Sequence, residues 1–553
     1  MEAQLVGKLN IYAYLLVAFA AYLALVLVGR RAGLWKRLGI SLYGPVMMVR
    51  TTRGRASISR VASTERLWTA YGTTSVIITL LAAGTLTSLL AWAVLRTSSG
   101  QSLPDLGPVS SSHPGTLVVL LYVGIGTIAA VLVHEFMHGV LAVVGKIKLD
   151  SVGVLLLLLP IGAFVEPNER ELRASSKWMR LRLYAAGPAT NMILAVLCGL
   201  LLVLVLLPAA KPVEPGVVVT DVALDSPAYI SGLAAFDQVT DVGGQSVLQT
   251  TDFRNLSFKY PGELTSMGVT SGGRHLFLAL PGGVAVTAVT DGPALNARID
   301  PGMIIYSFDG RLIHNCSDLT SALSNASRDQ PVNITVLRFS ADQATGTTWF
   351  SPDNSIRTVN LTTKWLWYYV HQPALNKEEY KNQSFLGASF SPFGMVVDEP
   401  EHLLQPIAHP LAGAKSVDSM AWASFRFVGF PFLGSSPVVS PFSDLYAPSG
   451  ALSFLPSDVY WVLVNLVYWI FWINLMLGLS NALPAMPLDG ALVLRDLLRA
   501  LLQRIGARLT GFDLTIGRKP ISASQADRAM VLVTVIVSAM VLYLLLWQAF
   551  GPF

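Results

Sequence analysis

The sequence predicts a polytopic α-helical membrane protein of about six transmembrane helices, with membrane-associated β-hairpins and an exterior α+β insert. Three observations carry that class. The chain is 52% hydrophobic and only 13% charged, where a soluble domain carries about 25% charged residues. Its apolar residues gather in runs near or beyond the ~20 residues that span a bilayer. Between the fourth and fifth runs lies a long polar segment, 208–457, rich in turn and strand signals.

The runs fall at 9–29, 71–95, 117–145, 183–207, 459–480 and 529–549. The first starts too far in and runs too long for a cleaved signal peptide, and no small-residue cleavage site follows it. Loop charge orients the chain. Residues 30–68 hold nine Lys or Arg against the single acid Glu65, and loops 146–182 and 495–528 are also basic. Loop 96–116 has no basic residue after Arg96. The positive-inside bias puts the three basic loops in the cytoplasm and both termini, with 208–457, outside. Sequons at Asn255, Asn315, Asn325, Asn333, Asn360 and Asn382 all lie in that exterior segment. The two cysteines, Cys198 and Cys316, sit in a span and in the exterior segment, so no disulfide framework is expected. The net charge of +5 belongs to cytoplasmic loops beside anionic lipid, and nothing points to nucleic acid.

The third run contains HEFMHG from position 134. On a helix His134 and His138 lie one turn apart on one face, where two imidazoles reach one metal ion. Glu135 projects beside them, placed to take a proton from water at that metal. A chance HExxH on a surface helix is the competing account. It fits poorly here, because each unpartnered charge in hydrocarbon costs at least ~2–3 kcal/mol. Zinc needs a further protein ligand. Asp489, in NALPAMPLDG at the cytoplasmic end of the fifth run, lies at matching depth, where Pro484 and Pro487 break the helix. Asp489 also suits the N-cap of a helix over 490–502. His113, His275, His314, His371, His402 and His409 are expected on the exterior side, out of reach.

HEFMH in one span and NALPAMPLDG in a later one resemble the site-2 proteases, the intramembrane zinc metalloproteases. GAFVEPNERELRASSKWMRLRLYAAGPATN resembles that family's cytoplasmic loop and second core helix, and GISLYGPVMMVRTTRG its membrane-laid segment. The resemblance covers all of the membrane part in the right order. It implies Zn2+ held by His134, His138 and Asp489, with Glu135 as catalytic acid/base. It also implies that Asn191 and Asn481 steady the substrate backbone or its oxyanion. From the residues alone, an interhelical hydrogen bond serves equally for Asn191, which follows the small residues Gly187, Pro188 and Ala189.

A substrate helix must unwind before its carbonyls can be attacked. KLDSVGVLLLLLPIGAFVEP (148–167) is too short and too broken by Pro and Gly to span, and reads as a hairpin dipping in from the cytoplasm. With 39–53 it offers an edge to which an unwound peptide adds; a short re-entrant helix is the alternative.

The exterior segment repeats itself at a spacing of 66. Asp225 aligns with Asp291, Pro227 with Pro293, Gly244 with Gly310 and Asp252 with Asp318. Both copies resemble circularly permuted, protease-associated PDZ domains, over 216–284 and 285–365. They depart from the usual Gly-Asp pair through Phe236 in the first and Met303 in the second. They are expected either to bind peptide ends by strand addition or to exclude substrates whose outer domain is untrimmed. Residues 366–457, with KWLWYYV and SMAWASFRFVGFPFLG, read as interfacial helices. The membrane halves are 1–207 and 458–553.

The resemblance implies cleavage of single-span membrane substrates, trimmed first by another protease, in regulated intramembrane proteolysis. A catalytically silent chaperone or scaffold binding transmembrane helices is the rival reading, and an intact Glu135 argues against it. A transporter is a weaker third, because the exterior pair has no obvious use in transport.

Overall fold

The computed structural model describes residues 2–51, 54–98, 116–157, 159–326, 331–342, 349–371, 376–404, 442–511 and 531–543 apart from 533, together with a few positions between 412 and 423. The chain divides into two units. One comprises Met1–Asp105, Gly115–Leu202 and Val464–Phe553; the other comprises Leu106–Pro114 and Val203–Leu463.

The first unit is built on helices α1 (Glu2–Arg31), α2 (Glu65–Ser98), α3 (Thr116–Val144), α4 (Lys177–Leu201), the greater part of α5 (Ser457–Ala482), and α6 (Asp489–Gly511). Among the described residues, Glu65–Leu95, Val118–Val144, Lys177–Ala209 and Ser457–Ala482 are long and apolar enough to cross a bilayer. They coincide with the second to fifth predicted runs. Helix α1 overlies the first run. The described part of the sixth includes the apolar helix Thr534–Tyr543, and the rest of 529–549 lies outside the described residues.

The hairpin expected over 148–167 forms. Strands β1 (Ile40–Tyr43), β2 (Val46–Thr51), β3 (Leu149–Leu157) and β4 (Leu159–Pro167) make an antiparallel sheet in that order. Val46, Val49, Val152, Val154 and Val165 supply the branched side chains that suit a pleated surface. Val49 pairs with Val154 across β2 and β3, and Val152 with Val165 across β3 and β4. Tyr22 of α1 donates its hydroxyl to Pro45 O at 2.7 Å and to Leu156 O at 3.0 Å, tying the helix to the sheet. Strand β4 is an edge of the sheet. A core of Ile58, Val140, Leu141, Leu149, Val152, Leu181, Ala185, Ala186 and Val493 joins the C-terminal end of α3 to α4, α6 and the sheet.

The second unit holds two six-stranded sheets. The main path of the first runs β8 (Arg274–Pro281), β7 (Leu264–Ser271), β6 (Gln238–Val242), β5 (Val217–Val222) and β14 (Met395–Asp398). That of the second runs β12 (Trp349–Val359), β11 (Val332–Asp342), β10 (Ile304–Phe308), β9 (Val284–Val289) and β13 (Ala388–Pro392). The sequence repeat reappears as a repeat of elements: strand, Pro-led short helix, strand, Gly turn, helix. The aligned Asp252 and Asp318 do the same work. The Asp252 carboxylate accepts from Leu248 N and Gln249 N, and that of Asp318 from His314 N. These carboxylates offset orphan amides at the start of each second helix.

Each sheet takes its last strand from 388–398, inside the stretch expected to be interfacial. Gly387 and Gly394, at φ +79° and +78°, lead into the two strands. They occupy equivalent places, because Thr290 N and Ala223 N donate to their carbonyls at 2.8 and 2.9 Å. Leu386 and Phe393, the residues just before them, are buried in the two repeat cores. The order is crossed: the earlier strand completes the later repeat. KWLWYYV with the following His371 does form a helix, Lys364–His371, with Leu366, Tyr369 and Val370 exposed. The stretch SMAWASFRFVGFPFLG (419–434) lies almost wholly outside the described residues.

Candidate metal centre

HEFMH lies inside α3, and aliphatic residues on both sides hold it helical and buried. His134 and His138 are 6% and 8% exposed. Asp489 reaches them from α6. Helix α5 ends at Ala482, the chain turns through Leu483–Leu488 with its two prolines, and α6 begins at Asp489 itself. A methyl group at Gly490 would meet Ala482 O and Leu483 O, so the turn closes tightly. Asp489 Oδ2 lies 3.0 Å from His134 Nε2 and 3.3 Å from His138 Nε2. One ligand atom from each of the three residues falls within 4.8 Å of the others. No other such group of His, Cys, Asp or Glu occurs among the described residues.

The donor set fits a cation. His138 Nδ1 is 2.7 Å from Leu183 O, a group that only accepts, so Nδ1 carries the proton. In the neutral ring Nε2 then points a lone pair at the Asp489 carboxylate, which repels it unless a cation lies between them. Asn191 backs the other histidine. It is fully buried, its Nδ2 is 3.2 Å from His134 Nδ1, and its Oδ1 is buried without a partner. A metal on Nε2 leaves the proton on Nδ1, and a half-turn of the carboxamide brings that orphaned oxygen onto it. The sequence offered Asn191 a substrate or an interhelical role; the geometry is interhelical and aimed at a ligand ring.

Asn481 is not drawn into the cluster. Its Nδ2 turns back to Leu477 O of its own helix at 3.1 Å. Glu135 is half-buried beside the cluster, and Val165 N of β4 donates to its Oε2 at 3.1 Å. The sheet therefore holds the carboxylate of the residue expected to move protons.

Two features escaped the sequence reading. A methyl group on Gly187 would sit 2.5 Å from both His134 Nε2 and His138 Nε2. Helix α4 therefore presses bare backbone against the rings where they converge. Nearby, Arg180 Nε of α4 meets Asp496 Oδ2 of α6 at 2.6 Å, and Asp496 is 4% exposed. Arg180 also donates to Ser175 O at 2.7 Å. The pair fastens the helix carrying Asp489 to the helix carrying Gly187 and Asn191. The signal available in sequence was the spacing of Asp496 from Asp489, two turns along α6.

The model of the family described as peptidase family M50 matches residues 122–511, more than half of the chain. Uncharacterized protein MJ0971 of Methanocaldococcus jannaschii is similar to part of it, 30% identical over 168 residues. That stretch takes in 28% of this chain and 43% of the relative's length.

Proposed function

The chain belongs to peptidase family M50, and on that footing we propose that it is an intramembrane zinc metalloendopeptidase. Its substrates are single-span membrane proteins, cut within or near the bilayer after another protease has trimmed them. The observation that carries the reading is the meeting of His134, His138 and Asp489 from α3 and α6, with Glu135 beside them.

Zinc held there supplies Lewis acidity, lowering the pKa of water to about 7 and polarising a peptide carbonyl. The chain's own residues do the rest. Glu135 takes the proton of the attacking water and returns it to the leaving amine. Val165 N–H holds that carboxylate in place. Leu183 O and Asn191 fix the ring orientations of His138 and His134. An unwound substrate adds to the edge of β4 beyond Val165, where no strand pairs with it, which brings its carbonyls toward Glu135. Asn481, half-buried and bonded to its own helix, is assigned to the substrate only after its side chain turns.

In this reading six helices cross the membrane, the metal site lies toward the cytoplasmic side, and the second unit lies outside. The repeats at 216–284 and 285–365 are PDZ-like domains, each completed by a strand from 388–398. They act as a filter against untrimmed substrates. The direct test incubates the purified protein with a panel of transmembrane peptides in bilayers and locates cuts by mass spectrometry. Cuts within or beside the membrane segment, lost on chelation and regained with zinc, are expected. A zinc-loaded chain that cuts no peptide would sink the proposal.

A further inference from the structure

Above Glu135 the helix α3 and the edge strand β4 part, leaving a cleft of about 200 Å³. Its walls are Thr127, Ile128, Val131 and Leu132 of α3 and Val154, Gly162 and Ala163 of the hairpin. Apart from the Thr127 hydroxyl the side-chain lining is apolar. A cavity of about 150 Å³ accepts a benzene ring, so this one holds a single large apolar side chain.

Both walls run on into the centre described above. Two and three residues beyond Leu132 come His134 and Glu135. Two residues beyond Ala163 comes Val165, whose N–H binds the Glu135 carboxylate at 3.1 Å. At that lower end the gap is shut, because a methyl group on Gly139 of α3 would lie 3.3 Å from Val165 Cγ1.

Ala163 is the informative residue. It pairs with Val154 across β3 and β4, and both line the cleft, so their side chains share that face of the sheet. Gly162 pairs with Leu155, and a methyl group added to it would lie beside the Leu155 side chain, on the other face. Ala163 carries a single methyl group on the cleft face, and that small size leaves the cleft open.

We propose that this cleft is a specificity pocket, which takes a large apolar side chain of the substrate next to the bond that is cut. The inference rests on the protease reading and adds which substrate residue is selected and by what. A side chain bound here lies against β4, so its backbone runs along the edge whose next outward amide, Val165 N–H, is at Glu135. The pocket therefore selects at one fixed distance from the scissile carbonyl.

The test uses the full chain in bilayers with zinc, and single-span substrates carrying Ala, Leu or Phe at each position around the cut. The unsubstituted chain should prefer Leu or Phe to Ala in kcat/KM at one position, on the order of tenfold or more. Ala163→Leu should lower that ratio about tenfold at the same position and leave the ratios elsewhere unchanged, and Gly162→Val, whose side chain falls on the other face of β4 beside Leu155, should leave it in place. A ratio cancels any common loss of activity, and bound zinc reports that each variant is folded. Unchanged ratios at every position in Ala163→Leu would overturn the pocket. So would an equal shift at all positions, the result expected if the cleft holds a lipid chain. A zinc-loaded, unsubstituted chain that cuts nothing would instead remove the protease reading beneath it.

Discussion

Gly187→Ala adds one methyl group and should cost the metal. The new carbon lands 2.5 Å from His134 Nε2 and from His138 Nε2. To reach tolerable separations the rings or the helix must yield by about 0.5–0.9 Å, in an interior packed as densely as a crystal. Metal sites accept only about ±0.2 Å in their ligand distances, so two ligand atoms are displaced well past tolerance. Loss of a residue that merely orients a ligand costs about 10–100-fold in affinity, and here the ligand atoms themselves move. The expected loss of zinc affinity is therefore at least ~100-fold. The fold should survive, because alanine gains about 1 kcal/mol over glycine in a helix, against about 1–3 kcal/mol of overpacking. Chelator competition on the purified chain measures the affinity, with metal content by mass spectrometry and thermal unfolding of the metal-free protein alongside. Gly124→Ala in α3, where a methyl group meets nothing within 4 Å, is the control and should bind zinc normally. Wild-type affinity in Gly187→Ala would refute the reasoning.

Other outcomes follow from the same geometry. Asp496→Ala leaves Arg180 charged and partly buried, so it should destabilise the chain by about 3–5 kcal/mol. Replacing both with apolar residues should recover most of that in thermal melts; strictly additive losses would deny the pairing. If the exterior repeats act as a filter, replacing 216–398 by a flexible linker should admit substrates with bulky outer domains and leave trimmed ones cut at least as fast. Slower cleavage of trimmed substrates with none newly admitted would favour recruitment instead. The deletion must run to 398, because β13 and β14 complete the two sheets. Partial burial pushes the Cys316 thiol up to about 11, so at pH 8 it should react with iodoacetamide far more slowly in the folded chain than after unfolding; equal rates would contradict that burial.

The parts legible in sequence were those with local period or fixed spacing. HEFMH declared a helix face, the 66-residue repeat declared two like modules, and the branched, Pro- and Gly-punctuated 148–167 declared a hairpin. The meeting of Asp489 with HEFMH was expected from placing both at the same ends of their runs. What stayed hidden depended on contacts between distant segments. Nothing in FLGASFSPFGMVVD marks it as the closing strand of two sheets whose other strands begin near 217 and 284. Asn191 had a substrate and a structural reading until the packing of α4 on α3 put its amide on His134. Gly187 looked like one of several small residues until the two imidazoles were found facing it. Arg180 and Asp496 lie more than 300 residues apart, and no local pattern marks either as the other's partner.

The most direct test of the central claim replaces the proton carrier and keeps the metal site. Glu135→Gln changes one carboxylate oxygen for an amide and leaves His134, His138 and Asp489 in place. The account predicts one equivalent of zinc held as in the unsubstituted chain, with cleavage of a transmembrane substrate reduced by about 10²–10⁴-fold, the range for losing a general acid/base. Zinc retained together with cleavage near the unsubstituted rate would contradict it.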